Sequence, residues 1–341
     1  MYQRGNMKTK AEVAAANIDR AIDSVYKGVA ATGELEQLKL LFSQSLVSVL
    51  HRELTALPNT EFVKVRLDWI DKRPYADVTV SAVKDLNGNL ITRPVELGDA
   101  AIFLIETFNC KGQIVSRRGK GLVIQAKVAP SASMAKVPVT SLSSTNPDKS
   151  SNKEFALLSQ WPRFELHLAN NRRGKSLGVY ALINRSSPPP YGWYAAAPGA
   201  NSSGWNTNGE WRSRWMCAPA LINAACDATL GEVLVALFNS SDIKGQKVGE
   251  ECFPVTGAYH AIFRGQSRPV PTDWDELCTK LLELTDHKHQ VVSGSYAVFA
   301  SFPYVPWLAR MIRKNRVACW LRSFRRKDFF PILIIERVRP D

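Results

Sequence analysis

Two nearly continuous apolar runs, Ala100 to Phe108 and Gly121 to Val128, constrain this chain more than any other feature. A strand with one wet face alternates apolar and polar residues. A strand that is apolar at almost every position has to be covered on both faces. Two such runs imply a central sheet with further layers on each side, which is an α/β architecture. With 341 residues and 45% hydrophobic composition, the chain has enough apolar material for such a core.

The other elements are read from periodicity and breakers. Apolar spacing of three and four predicts helices over 10–26 and 34–56, the second carrying Leu38, Leu41, Phe42, Leu46, Val49 and Leu50 on one face. Pro58-Asn59 ends it. Alternation predicts a strand over 62–69, with another over 77–83, and Asn87-Gly88 is a hairpin turn signal. The Ser-, Pro- and Lys-rich segment 129–153 reads as a loop. A helix is expected over 154–168, ended or kinked near Gln160 by Trp161-Pro162, and a strand over 177–184. Residues 185–210 read as a long loop holding Tyr191, Trp193, Tyr194 and Trp205, in which packing onto the domain is favoured over stacking on bases. Helices are expected over 218–239 and 274–285, a basic helical stretch over 305–326 and a last strand over 332–338. The organisation expected is a core over 1–186 with N-terminal helices and an α+β region over 187–341, the two forming one continuous domain or a pair.

A formal charge of +13 favours a polyanionic partner, nucleic acid above all. The six cysteines include no Cys-x-x-Cys pair, which argues against a zinc ribbon and for free thiols in a reducing compartment. No secretory leader and no transmembrane run is expected, so the expected location is the cytoplasm, without a membrane partner. A P-loop reading of Arg173-Gly174-Lys175-Ser176 fails for want of the earlier glycine, and no Gly-x-Ser-x-Gly elbow occurs. His287-Lys288-His289 lacks a third spaced ligand.

The chemistry concentrates at the two apolar runs. Asp99 follows Gly98 at the start of one, and Gln125 and Lys127, two apart, share a face of the other. If the strands are neighbours, a carboxylate, an amide oxygen and an ammonium converge. Burying Gln125 and Lys127 in so apolar a strand is costly unless they serve a purpose. The carboxylate and the amide are hard ligands suited to Mg2+ or Mn2+, and a lysine beside them can stabilise a charged transition state. A glutamine in place of a second carboxylate leaves room for another acid; Glu36, Glu53 and Glu96 are the candidates.

The order helix, strand, Asp99, hairpin, strand with Gln125-Ala126-Lys127, helix resembles the PD-(D/E)xK nuclease superfamily, and its Gln-x-Lys form resembles the Mrr-like restriction branch. The resemblance spans about 34–184. It departs from the pattern in having Glu96-Leu97-Gly98 before Asp99 and no proline there, and in a long hairpin. It implies a restriction-endonuclease-like mixed sheet flanked by helices, with Asp99 and Gln125 as metal ligands and Lys127 as catalytic residue. The activity implied is Mg2+- or Mn2+-dependent DNA cleavage, in a setting of prokaryotic antiviral defence with a possible partner protein. The alternative is a non-catalytic nucleic-acid- or partner-binding protein on the same core, which would use the basic stretch 305–326.

Overall fold

The computed structural model describes residues 8–27, 33–110, 113–130, 133–168, 175–183, 186–199, 211–253, 271–285, 291–292 and 330–340. The chain opens with α1 (Lys10–Val25), capped by a Thr9–Glu12 box, then α2 (Glu34–Leu41) and α3 (Gln44–Thr55). The single helix expected over 34–56 is therefore two. Ser43 leaves the helical conformation, and its hydroxyl accepts from the Leu46 N–H to start α3 afresh.

Strand β1 (Phe62–Ile70) follows, then β2 (Pro74–Asp77). The strand expected over 77–83 is instead a 3-10 turn over Val78–Ser81, because the Asp77 carboxylate accepts from the Thr79 N–H and hydroxyl at 3.1 and 2.6 Å and turns the backbone. After the Asn87-Gly88 turn come β3 (Val95–Glu96), β4 (Ala100–Cys110) and β5 (Gln113–Ala129). Helix α4 (Ser150–Gln160) ends where Trp161, preceding a proline, takes a left-handed φ of 43°. Its expected continuation to 168 is the strand β6 (Phe164–Leu168), and β7 is only Val179–Tyr180.

The expected loop 185–210 contains a fully buried strand, β8 (Gly192–Pro198). The expected helix 218–239 is β9 (Met216–Pro219), β10 (Ala228–Thr229) and a shorter helix α5 (Leu230–Asn239), started by a Thr229–Glu232 capping box. Then come β11 (Glu250–Cys252), α6 (Asp273–Glu283), β12 (Val291–Val292) and β13 (Phe330–Pro340). The basic stretch 305–326, Trp205 and the 287–289 histidines lie outside the described residues.

The large sheet has nine strands in the order β10-β9-β8-β5-β4-β13-β1-β12, with β11 also on β5. It is mixed: β4 and β5 form an antiparallel hairpin, while β5–β8 and β4–β13 are parallel. Strands from before and after residue 187 thus share one sheet. A second sheet runs β3-β2-β6-β7. Each face of the large sheet carries its own core. Ala100, Ile102 and Leu104 pack with α1, α2, α3 and α5. Ala101, Phe103 and Ile105 pack with α4, α6 and the inner face of the small sheet. The near-continuous apolarity of β4 and β5 has this two-sided burial as its cause. Among the described residues, no helix is long and apolar enough to cross a membrane, and the described cysteines Cys217, Cys226, Cys252 and Cys278 are free and buried.

Candidate functional site

Asp99, Gln125 and Lys127 come together on the second of these faces. Along β4 and β5, Asp99 has the parity of Ala101 and Phe103, and Gln125 and Lys127 that of Val123, so all three point toward α4 and away from the N-terminal helices. The hairpin register sets their approach. The Asp99 N–H donates to the Ile124 carbonyl at 2.8 Å, and Asp99 Oδ2 accepts from the Ala126 N–H at 2.9 Å and from the Gln125 amide Nε2. Gly98 makes this possible: a Cβ there would collide with the Val123 side chain and the Ile124 carbonyl.

Two acids complete the cluster. Lys127 Nζ lies 3.2 Å from Glu34 Oε2 and 3.0 Å from Glu154 Oε2. Glu154 sits on α4, which lies along this face because Gly192 of β8 has no Cβ to strike Leu158 and Trp161. Its Oε1 accepts from the Ser150 hydroxyl one turn earlier. Glu34 is the first residue of α2, and α2 is held over the ends of β5 and β8 by Gln37, whose amide donates to the Pro198 carbonyl at 3.1 Å. The Glu34 side chain is 28% exposed against 10% for Lys127 and 3% for Glu154, so the cluster opens toward the start of α2.

None of the three acids proposed from sequence holds the lysine. Exposed Glu36 accepts from the Gly33 N–H at 3.3 Å, capping α2. Glu53 accepts from Asn17 and Arg52, both at 2.7 Å, tying α3 to α1. Glu96 pairs with Arg73 and accepts from the Tyr75 hydroxyl at 3.0 Å. It stands near enough to Asp99 and Glu34 to act on both electrostatically, as an outer layer of the same cluster.

The electrostatics follow from one buried ammonium among three carboxylates. Burial first, then the Glu34 charge, holds the Asp99 carboxyl well above the usual carboxylate range, with Lys127 opposing. Burial likewise raises Glu34, against the pull of Lys127. Burial alone would lower the lysine, but Asp99, Glu154 and Glu34 outweigh it and raise it further, so Lys127 stays charged. Among the described residues, no group of three or more His, Cys, Asp and Glu side chains is arranged to hold a metal. The set Asp99 plus Gln125 asks for less than that, since Mg2+ keeps several waters and takes one or two protein oxygens. The donor chemistry fits: Gln125 is 1% exposed and its carbonyl Oε1 has no hydrogen-bond partner, a hard oxygen with unused lone pairs beside a carboxylate. Residues Tyr191, Trp193 and Tyr194 are buried, which agrees with packing and removes them as base-stacking groups. Compared with known proteins, the chain matches no family model, no curated protein and no solved structure.

Proposed function

We propose that the chain is a Mg2+- or Mn2+-dependent DNA endonuclease whose site is Asp99, Gln125 and Lys127, completed by Glu34 and Glu154. The observation that carries this reading is the burial of a carboxylate, an unpartnered amide carbonyl and a lysine on one sheet face, with two more acids brought from distant helices. Purely structural buried polar groups are normally satisfied within the protein. The likeness to PD-(D/E)xK nucleases supports the choice of reaction, and the formal charge of +13 supports a polyanionic substrate.

In this reading Asp99 and the Gln125 carbonyl hold the cation. A bound Mg2+ or Mn2+ would supply Lewis acidity and lower the pKa of a water. Lys127, kept charged by its acidic neighbours, would stabilise the negative charge that grows on the phosphate. Glu34, at the open lip, would restrain the lysine until substrate arrives. A role in antiviral defence and a partner protein rest on the family likeness alone.

The test is cleavage of plasmid DNA by wild type, Lys127→Ala and Asp99→Asn, with Mg2+, Mn2+ or EDTA. Wild type is expected to cut with either metal and not in EDTA, and both variants to lose at least a hundredfold in rate, on the order of one lost electrostatic stabiliser. Asp99→Asn keeps an oxygen to accept from Ala126 and Gln125, so its loss of activity is not a loss of fold. Unchanged cleavage by both variants, or equal cleavage in EDTA, removes the assignment. Absence of cleavage together with DNA binding by wild type favours the non-catalytic binding reading.

A further inference from the structure

One buried group at the cluster has no part in the chemistry above. Tyr194, on β8, stands directly opposite Gln125 in the β5–β8 register, and both side chains lie on the face covered by α4. It is fully buried, and its hydroxyl has no hydrogen-bond partner; nor has Oε1 of Gln125, its register partner. A buried tyrosine hydroxyl usually finds a partner, because leaving it unmade forfeits the hydration it had in the unfolded chain. Here two such groups occupy adjacent positions. One is an acceptor only and the other can donate, yet they do not bond to each other. A phenol keeps its proton at neutral pH, so the hydroxyl is a donor.

An unpartnered carbonyl oxygen and an unpartnered phenolic donor on paired positions of one sheet face complement a cation that carries an oxygen ligand. The carbonyl would face the cation, and the hydroxyl would donate to the oxygen the cation holds. Building on the metal-site reading, we propose that Tyr194 is a positioning residue that hydrogen-bonds an oxygen ligand of the cation held by Asp99 and Gln125. Two sources supply such an oxygen, a metal-bound water or a phosphate oxygen, and the chemistry at Tyr194 is the same for both. The role differs from that of the neighbouring aromatics. Trp193, on the opposite face, donates from its indole to the Lys247 carbonyl at 3.3 Å and is accounted for by packing.

The experiment compares the full chain with Tyr194→Phe, which removes the hydroxyl and keeps the ring. Each is melted in EDTA, then titrated calorimetrically with Mn2+ alone and with Mn2+ plus inorganic phosphate. The expected result is an unchanged or raised melting temperature in EDTA, with Mn2+ binding weakened about five- to tenfold, the worth of one hydrogen bond. Weakening with Mn2+ alone identifies the ligand as water; weakening only when phosphate is present identifies it as a phosphate oxygen. Equal affinity in both arms overturns the proposal and leaves the metal site standing. A melting temperature lowered by several degrees in EDTA also overturns it, because the hydroxyl would then serve the fold. If wild type binds no Mn2+ in either arm, the metal-site reading itself falls, and this inference with it.

Discussion

The two faces of the large sheet each bury a polar network, and they solve the problem of burial in opposite ways. On the face of the N-terminal helices, Arg214 donates to Gln37 Oε1 from Nε and an Nη at 3.2 and 3.1 Å, and its guanidinium lies 5.0 Å from the Tyr26 ring centroid. Gln37 uses its amide N–H on Pro198, Tyr26 donates to the Gln37 carbonyl at 2.7 Å, and Trp215 donates to the Tyr26 hydroxyl at 2.8 Å. Donor meets acceptor at each step, and the result is the docking of α1 and α2 onto the ends of β8 and β9. On the α4 face, three carboxylates crowd one lysine, while a carbonyl and a hydroxyl have no partner in the protein. A network closed on itself explains structure; one that keeps hydrogen-bonding capacity unspent and charge unbalanced is what the proposed metal site would use.

The largest effect is expected on the closed side. Arg214→Met leaves the Gln37 side-chain Oε1 without its donor and removes the cation from the Tyr26 ring, a loss of about 2–4 kcal/mol in urea unfolding. Because Gln37 lies one turn from Glu34, cleavage should fall several-fold as α2 loosens. A change under about 0.5 kcal/mol would mean that this network does not dock α2.

Asp19 on α1 is buried, accepts from the Gly231 N–H at 2.9 Å and is raised by burial to about 6. Asp23 and Glu232 add to the rise, and the bonds from Thr229 and Gly231 oppose it. The folded state therefore holds this proton more tightly than the unfolded chain does. Stability contributed by Asp19 is complete below about pH 4 and is lost as the pH rises to about 6. Asp19→Asn should flatten that part of the stability–pH curve and add up to roughly 3 kcal/mol above pH 6, at about 1.4 kcal/mol per tenfold change in proton affinity. Cleavage and Mn2+ binding should not change. Equal slopes for the two proteins between pH 4 and 6 would contradict the assignment of this titration to Asp19.

How much of this was legible in the chain differs by element. The two-sided burial of β4 and β5 is written in their composition, and the common face of Gln125 and Lys127 in their spacing; the approach of Asp99 needed only that the two runs pair as a hairpin. Glu34 was hidden by the break at Phe42-Ser43. Leucine spacing continues across that break, so α2 and α3 read as one helix and the direction of α2 cannot be inferred from them. Glu154 did carry a signal: it precedes Phe155-Ala156-Leu157-Leu158, in a helix that crosses from β5 to the parallel β8, where an acid is buried against the sheet. Strand β8 was masked by its setting, since Ala195–Ala197 lack the branched residues of a typical strand and are flanked by Pro and Gly. The insertion of β13 between β1 and β4 depends on pairing across more than 200 residues, for which no local pattern exists.

In the proposed reading, the Asp99 carboxylate is held in a site that disfavours it until a cation binds. The direct measurement is thermal unfolding of wild type and Asp99→Asn at pH 8, in EDTA and in saturating Mn2+. Asp99 is raised above its ordinary value, so its ionised form opposes folding at this pH. The variant is expected to melt at or above wild type in EDTA. Mn2+ at about a hundred times its dissociation constant should then stabilise wild type by about 2.7 kcal/mol and leave the variant unmoved. A variant that is less stable than wild type in EDTA, with neither protein responding to Mn2+, would show that Asp99 belongs to the architecture of the hairpin and not to a metal site.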